Sequence, residues 1–352
     1  MILTSLVLQS FRSYLKKTWV FSAGVTCIVG PNAVGKTNVL EAIMMLATSK
    51  SFRAGADREV IRWDCEIARI TALSSEEKLE MVLTPGVVSG QPTSLKKYLV
   101  NGVARRSIDF VGVLRAVLFW PEDLEIVTDS PSIRRKYLDT VLVQTDREYR
   151  RNLLSYERGL RQRNKLLDLV NEGRASRSQL LFWDQLLIRA GGYITEKRAS
   201  YIAFVNTTTV SKHRFLVTYD KSVISEARLL QYKDEEVAAK STLVGPHRDD
   251  FALSHQEHGV STANGYHDLS KFGSRGEQRL AVLWLKLAEL SYIERETGSR
   301  PMLLLDDIFS ELDQAHRVLV GDITAKQQTI ITSADFDSLP EEVQRTAQVI
   351  RL

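Results

Sequence analysis

The spacing of apolar and polar residues divides this chain into two α/β segments around a helical one. A short β-rich run over residues 24–30 ends in glycine, and apolar residues at helical spacing follow over 38–49. Between about 120 and 240, apolar and basic residues recur at helical spacing with few turn signals. Residues 302–307 form an apolar run that ends in two acids, and 328–334 predict a last buried strand.

The pattern therefore predicts a split α/β domain with a second, mainly helical domain inserted in its middle. We place the α/β domain at residues 1–120 and 241–352 and the inserted domain at 121–240. The helical pattern is clearest over 147–169, where one face carries Tyr149, Leu153, Tyr156, Leu160 and Leu167. A break at 171–179 and a second helical run that begins at Leu180 make the pattern too short for a long coiled coil.

Composition narrows the class of protein without deciding its function. The chain has 352 residues and a net charge of +4, so the placement of charge matters more than its total. Its two cysteines, Cys27 and Cys65, form no C-x-x-C pair, which argues against a disulfide framework or a zinc site and fits a reducing cytosol. No apolar run is long enough to predict a membrane span, and the first residues read as a strand, so we expect a cytoplasmic protein.

Residues 30–37, here called the phosphate loop, read GPNAVGKT and match G-x-x-x-x-G-K-[ST] between a predicted strand and a predicted helix. Its glycines let backbone N–H groups surround a phosphate chain, and the helix N-terminus adds its dipole. Lys36 brings a positive charge to the β- and γ-phosphates, and Thr37 is a ligand for Mg²⁺. The predicted ATP-binding residues of this loop are Gly30, Pro31, Asn32, Ala33, Val34, Gly35, Lys36 and Thr37.

The acids that end the run at 302–307 are the candidate catalytic pair. A parallel strand presents its carboxyl end to the ligand crevice. We expect Asp306 to hold Mg²⁺, directly or through water, and Asp307 to orient or deprotonate the attacking water. The candidate catalytic residues are therefore Asp307 and Lys36, and the candidate metal ligands are Thr37 and Asp306.

A second anion site is predicted at "FGSRGEQR", residues 272–279, more than 230 residues after the phosphate loop. Ser274 offers a hydroxyl, Gly276 permits close approach of backbone, and a helix N-terminus follows. We call residues 274–277 the second cradle. One nucleotide needs one cradle, so we expect this one to serve ATP held by another copy of the chain, in a dimer that encloses two ATP molecules. The helix is expected to be anchored in the core by residues that lie on one face, namely Leu280, Leu283, Trp284, Leu287 and Leu290.

The face of 147–169 opposite its apolar residues is the candidate DNA contact. This basic stripe consists of Arg147, Arg150, Arg151, Arg158, Arg161 and Lys165. Such a row can neutralise phosphates without reading sequence, but a charged helix face can equally be only solvated. Arg134, Arg135 and Lys136 compete for the same role. His255 and His258 have a spacing seen in metal sites, but without cysteine or acidic partners in a helix we expect a loop there.

Three segments together, GPNAVGKT, FGSRGEQR and LLLDDIFSELD, resemble the ATP-binding-cassette heads of chromosome-maintenance and Rad50-type proteins. The segments LQSFRSY, KSFR, FWPEDLEIV, SPSIRRKYLD and GPHRDDF are similar to those of the RecF family of recombination and repair proteins. The resemblance covers nearly the whole chain. It implies an α/β ATP-binding-cassette (P-loop) head with an inserted helical domain, ATP and Mg²⁺ as cofactors, and nucleotide-proximal roles for Arg12 and Arg53, although a salt bridge is an equal alternative for either arginine.

The same resemblance implies an ATP-dependent homodimer that binds single- and double-stranded DNA, recognises gapped junctions and helps recombinase loading. RecR/RecO-type mediator proteins would be its partners. Asp307 is one methylene shorter than the usual glutamate, and the last strand offers Thr332 or Ser333 where a histidine is usual, so we expect weak, switch-like ATP hydrolysis. Glu277 replaces the usual glutamine, and we expect it to turn from the nucleotide toward Arg275 or Arg279. The alternatives are a transporter-type cassette ATPase and a small-molecule kinase.

Overall fold

The computed structural model describes residues 1–209, 213–256, 266–310, 314–337 and 339–352. The chain divides into two compact units. The first unit is Met1–Asp123 with Ile293–Leu352, and the second unit is Leu124–Tyr292. The division at 120 and 241 derived from the sequence stays a prediction about domains, whereas the packing assigns residues 241–292 to the second unit.

The strands are short and belong mostly to the first unit. In chain order they are β1 (Leu3–Phe11), β2 (Tyr14–Val20), β3 (Val25–Val29), β4 (Ala68–Ser74), β5 (Lys78–Leu83), β6 (Val87–Val88), β7 (Gln91–Pro92), β8 (Lys96–Val100), β9 (Val103–Arg105), β10 (Ala116–Phe119), β11 (Arg214–Asp220), β12 (Asp250–Gln256), β13 (Tyr266–Asp268), β14 (Met302–Asp306), β15 (Thr329–Ser333) and β16 (Gln348–Arg351).

The longest helices lie wholly or mostly in the second unit. In chain order the helices are α1 (Lys36–Thr48), α2 (Ser107–Phe110), α3 (Glu125–Thr128), α4 (Pro131–Thr145), α5 (Arg147–Asn171), α6 (Leu181–Val205), α7 (Glu226–Gln231), α8 (Lys233–Ala239), α9 (Leu269–Phe272), α10 (Arg275–Thr297), α11 (Gln314–Thr324) and α12 (Glu341–Thr346).

A parallel sheet in the first unit carries the phosphate loop and the acidic pair. Its strand order is β10-β14-β15-β3-β16. Strands β3, β14 and β15 are buried at every position, as expected for parallel strands covered on both faces. Helix α1 packs against this sheet, and its residues from Val39 to Ala47 are buried. The register fixes which residues meet at the carboxyl edge of the sheet.

An antiparallel sheet of order β2-β1-β4-β5-β8-β9 completes the first unit. The inward-facing residues of its strands share one apolar core with α1, which includes Leu6, Leu8, Phe11 and Ile70. The β8–β9 hairpin turns at Asn101 and Gly102, both with positive φ. An Asn-Gly pair supports this backbone at little cost, so the turn fixes the hairpin register.

The second unit packs α5 against α6 and adds a three-stranded sheet, β11-β12-β13. Helix α5 covers the predicted range and buries the predicted face, with Leu160 only half-buried. Gly159 allows the close approach of the two helices, because a Cβ there would lie 2.7 Å from a Leu186 methyl. The fold class predicted from the sequence, an α/β head with a mainly helical addition, is confirmed.

Helix α10 is buried on more than its predicted anchoring face. Every residue from Leu280 to Lys286 is buried, whereas Leu287 and Leu290 are only half-buried. The polar residues of this stretch are accommodated by pairing, since Lys286 Nζ lies 3.4 Å from Glu289 and both side chains are buried. The predicted anchoring residues are thus buried or half-buried, but the helix is enclosed beyond their face and needs no amphipathic stripe.

Candidate functional site: a phosphate loop, an acidic pair and a second cradle

The phosphate loop follows β3 and enters α1 at Lys36. Its last glycine, Gly35, has φ 110°, and a Cβ there would lie 2.8 Å from Ser13 Oγ and from the Tyr14 hydroxyl. Only glycine fits that backbone and that space. Lys36 is buried, and its Nζ donates to the carbonyls of Gly30 at 2.7 Å and Pro31 at 3.0 Å. The ammonium group therefore lies within the curve of the loop, where phosphate oxygens would be held.

The carboxyl end of β14 meets the start of α1. Thr37 Oγ1 donates to Asp306 Oδ1 at 3.0 Å, and Thr332 Oγ1 donates to the same oxygen at 2.5 Å. Adjacent ligands of an octahedral Mg²⁺, with bonds of about 2.1 Å, lie about 3 Å apart. The pair Thr37 and Asp306 therefore has the spacing and the oxygen donors that Mg²⁺ requires, and the residues fit the ion.

Asp307 follows with a strained backbone. Its φ is 52°, and its N–H donates to the carbonyl and to Oγ1 of Thr332 at 3.1 and 3.2 Å. Residues outside the usual φ range persist where their surroundings enforce them, often at functional sites. Thr332 thus joins both acids: its hydroxyl donates to Asp306 and accepts from Asp307. Ser333, the other residue considered for the position of the missing histidine, donates its hydroxyl to the Asp335 carbonyl.

Of the two arginines considered for the nucleotide, Arg12 forms a salt bridge. Its Nε and one terminal nitrogen donate to the two carboxylate oxygens of Glu41 at 2.8 and 2.6 Å, and the other donates to the Glu59 carbonyl at 2.9 Å. Glu41 is fully buried on α1. Arg53 is exposed and reaches Asn38 Oδ1 at 3.3 Å, one residue after Thr37. Arg53 therefore keeps a position beside the start of α1.

The second cradle begins α10 in the second unit. Ser274 and Gly276 are exposed, and within the described ranges a Cβ built on Gly276 would meet only Ser274 Oγ, at 4.0 Å. Ser274 Oγ and N both donate to Glu277 Oε2 at 2.8 Å, while Glu277 N donates to Ser274 Oγ at 3.3 Å. This reciprocal arrangement is a capping box. Glu277 was expected to turn toward Arg275 or Arg279, and the contacts described for it are with Ser274, His255 and His267.

The pKa of Glu277 reflects these contacts. Partial burial alone would raise it, but hydrogen bonds from Ser274 and His255 outweigh that effect and hold the pKa below its usual value. The carboxylate is therefore charged at neutral pH, directly at the cradle where a phosphate is expected.

Comparison with known proteins decides the family. A family model described as the RecF/RecN/SMC N terminal domain matches residues 2–351. The DNA replication and repair protein RecF of Roseiflexus castenholzii is 36% identical, over 96% of this chain and 95% of the relative. RecF of Thermomicrobium roseum is 38% identical, over 100% of this chain and 98% of the relative. This chain belongs to the RecF family.

Solved RecF structures share the fold. A structure described as the recombination mediator protein RecF-ATPrS in the RecFOR pathway is 31% identical, with a TM-score of 0.84 over 96% of this chain and 94% of that chain. A second, described as RecF-ATP in the same pathway, has a TM-score of 0.81 at 31% identity, over 94% of this chain and 92% of that chain. An SMC head, bound in its structure to the C-winged helix domain of ScpA, is 16% identical with a TM-score of 0.51 and shares the fold alone, over 100% of this chain and 94% of that chain.

The basic stripe of this RecF-family chain lies on α5, and five of its six residues are exposed. Arg150 is half-buried and donates to the Val143 carbonyl, and Arg151 pairs with Glu148 at 2.8 Å. The two arginines that compete with the stripe for the DNA contact form hydrogen bonds within the protein. Arg134 donates to both carboxylate oxygens of Asp250, and Arg135 donates to the Asp249 carbonyl. The stripe is therefore the better candidate surface, with Lys136 exposed as a further cation.

Two histidines, His247 and His255, bond to partners that only the fold brings to them. His247, in GPHRDDF, bonds to the Tyr156 hydroxyl through Nδ1 at 2.7 Å and to the Thr242 carbonyl through Nε2 at 3.0 Å. Burial lowers the pKa of His247 to about 4. His255 lies in β12 beside Glu277, so the loop expected at His255 is wrong, while His258 and residues 311–313 of the SELD turn lie outside the described residues. Among the helices that the structure describes, none is long and apolar enough to cross a membrane.

Proposed function

We propose that this protein is an ATP-dependent DNA-binding protein of recombinational repair, which ATP converts into a dimer and slow hydrolysis releases. The dimer recognises gapped or single-strand/double-strand junction DNA and helps to load recombinase through RecR/RecO-type partners. Similarity to RecF proteins of the RecFOR pathway, two of them in structures whose descriptions name ATPrS or ATP, supports this role.

The first part of the proposal, nucleotide binding and hydrolysis, uses the phosphate loop and the acidic pair. Residues 30–37 hold the phosphates, Lys36 neutralises the β- and γ-phosphates, and Thr37 and Asp306 hold Mg²⁺. When bound, Mg²⁺ supplies positive charge that stabilises the transferred phosphoryl group. Asp307 orients the attacking water, and the tie to Thr332 holds its backbone in place. The short acid, together with a last strand that has Thr332 and Ser333 where a histidine is usual, supports slow turnover.

The second part of the proposal, an ATP-dependent dimer, rests on one observation, the exposed second cradle. Among the described residues, none forbids a Cβ on Gly276, and its φ is not positive, so this part of the chain does not require glycine there. A ligand or another molecule that approaches the helix N-terminus would require it. A nucleotide held by a second copy meets this requirement, and C₂ symmetry then gives two such sites.

Gly276→Ala tests the dimer more cleanly than Ser274→Ala. Loss of Ser274 breaks the capping box and costs about 1 kcal/mol of helix stability, whereas alanine at 276 fits the isolated chain and is a better helix former than glycine. We expect Gly276→Ala to keep its thermal stability and its ATP affinity but to lose ATP-dependent dimerisation in sedimentation velocity. Lys36→Ala should lose ATP binding itself. Normal dimerisation of Gly276→Ala with ATP would remove the basis for the composite site.

The basic stripe supplies the third part of the proposal, the contact with DNA. Cations that contact phosphates make log Kd depend on log salt, with a slope of about 0.9 per contacted phosphate on duplex DNA. We expect Arg158→Ala with Arg161→Ala to reduce that slope by about 2 on gapped DNA in the presence of ATP. Arg345→Ala, an exposed arginine of α12 paired with Glu341, is the matched control. An unchanged slope in the double variant would move the DNA contact away from α5.

A further inference from the structure

Two histidines and one glutamate converge beside the second cradle. His255 of β12 and His267 of β13 are directly opposed in the antiparallel register, so their side chains leave the same face of the hairpin. Glu277, in the first turn of α10, faces the same pair: its Oε1 lies 3.1 Å from His255 Nδ1 and 3.8 Å from His267 Nε2. All three residues belong to the second unit.

The distances match those of a bound metal ion. The three donor atoms lie within 4.8 Å of one another. A tetrahedral Zn²⁺, with bonds of about 2.0–2.2 Å, holds its ligand atoms about 3.3 Å apart, so two of the observed separations bracket that value. Two imidazoles and a carboxylate are an established donor set for Zn²⁺, with a fourth position left to water or another ligand. The side chains are 7%, 17% and 27% exposed, which shields the site but leaves an entry path.

A fourth residue orients one of the donors. His213 Nδ1 lies 3.2 Å from His255 Nε2, the ring nitrogen that faces away from Glu277. Histidine ligands of metals commonly use their second nitrogen in such a hydrogen bond, which fixes both the tautomer and the plane of the ring. His213 borders β11, which pairs with β12, so neighbouring strands supply both the ligand and its support.

We propose that His255, His267 and Glu277 form a site for a divalent transition-metal ion, best suited to Zn²⁺. Cysteine spacing does not bear on this site, because its donors are two histidines and a glutamate. Glu277 would bind the ion through Oε1 and keep Ser274 through Oε2. The ion thereby ties the β12–β13 hairpin to the N-terminus of α10.

A metal ion at this site would also reduce an electrostatic repulsion at the second cradle; this consequence rests on the proposed function. A γ-phosphate at the second cradle would lie beside the charged Glu277 carboxylate. A divalent cation on that carboxylate offsets its charge and keeps the capping box in place. We therefore expect bound Zn²⁺ to favour ATP-dependent dimerisation.

The site itself is tested with the metal alone, without ATP or DNA. The full chain, stripped with chelator, is titrated with Zn²⁺ by calorimetry and with Co²⁺ by visible absorption. We expect one ion per chain and a tetrahedral Co²⁺ spectrum. His255→Ala, His267→Ala and Glu277→Gln should each weaken binding at least about tenfold, and His213→Gln should weaken it by about tenfold. His247→Gln, whose ring bonds to Tyr156 and Thr242, is the histidine control and should leave metal affinity unchanged.

The outcomes separate this site from the function. Failure of the wild-type chain to bind either ion, or equal binding by the His255→Ala/His267→Ala double variant, overturns the metal site and leaves the dimer proposal standing. Tight binding that disappears in that double variant supports the site. If the wild-type chain fails to dimerise with ATP whether or not Zn²⁺ is present, the proposed function fails, while the calorimetric result still decides the site.

Discussion

The Arg12–Glu41 pair offers a quantitative test of how the phosphate loop is supported. Glu41 is fully buried on α1, and its carboxylate accepts two hydrogen bonds from Arg12 and one from Ser51 Oγ. The pair therefore ties α1 to Arg12, which immediately follows β1. Removing one member of a buried ion pair leaves an uncompensated charge and typically costs about 3–5 kcal/mol.

The perturbation is a double-mutant cycle of Arg12→Met and Glu41→Leu. Arg12→Met leaves the buried Glu41 carboxylate with Ser51 as its remaining described partner. We expect the free energy of unfolding to fall by about 3 kcal/mol, the low end of the range, because the Arg12 side chain is 23% exposed and part of the charge pair is hydrated. Glu41→Leu leaves a guanidinium that still reaches water and the Glu59 carbonyl, so its cost should be smaller, about 2 kcal/mol. The double variant should lose only about 2 kcal/mol, less than Arg12→Met alone, which corresponds to a coupling energy of about 3 kcal/mol.

Urea unfolding without nucleotide measures the coupling, and ATP titration of the same four proteins decides the role of Arg12. If the arginine acts only through Glu41, the double variant regains ATP affinity together with stability. If Arg12 also contacts the nucleotide, stability returns and affinity does not. Additive losses in the unfolding cycle, with a coupling energy below about 0.5 kcal/mol, would refute the pair as a support for α1.

Further predictions concern stability and the phosphate loop. Burial lowers the pKa of His247 to about 4, so its ring is neutral in the folded protein at neutral pH. The contribution of this neutral ring to the free energy of unfolding is complete above about pH 6.5 and is lost as pH falls through 4. The free energy of unfolding should therefore drop by about 3 kcal/mol over that range, and by less in His247→Gln. Asp146 accepts from two backbone N–H groups at the start of α5, so Asp146→Ala should cost about 1–2 kcal/mol in urea unfolding while Asp146→Asn keeps most of the cap. Gly35→Ala should lower the thermal midpoint and abolish ATP binding, because of its positive φ and the hydroxyls of Ser13 and Tyr14; normal binding would contradict the steric argument.

Local chemistry made several features of the fold predictable from sequence. The phosphate loop, the ends of α5 and α6 and the hairpin turn at Asn101–Gly102 each follow from residues that are close in the chain. Their conformations are decided by glycine, by caps or by helical periodicity. The start of α10 was likewise visible, although the sequence pattern Ser-x-x-Glu at 274–277 was interpreted as an anion cradle and not also as a capping box.

Features that depend on long-range pairing were not predictable. Glu41 reads as one polar residue of an amphipathic helix, and only the fold brings it to Arg12, 29 positions away. Arg163 sits in the α5 sequence among exposed cations, yet it is buried and paired with Asp184 and Glu236. The His255–His267 pair requires the β12–β13 register, which residue spacing does not give. These contacts are set by tertiary structure, and residue type alone does not predict them.

The second cradle depends both on a local sequence pattern and on long-range contacts. Ser274 Oγ has one proton, and that proton now goes to Glu277 Oε2. To donate to a phosphate at the cradle, the Ser274 hydroxyl must therefore turn away from Glu277. One charged hydrogen-bond acceptor is then exchanged for another. Such an exchange is nearly balanced in energy, so the environment of Glu277 decides its direction. Groups that stabilise the Glu277 carboxylate without Ser274, namely His255 and an ion bound with His267, should shift the exchange toward the phosphate. In the proposed dimer, Glu277, which departs from the usual family pattern, would thus be the point at which the β12–β13 hairpin influences ATP-dependent dimerisation.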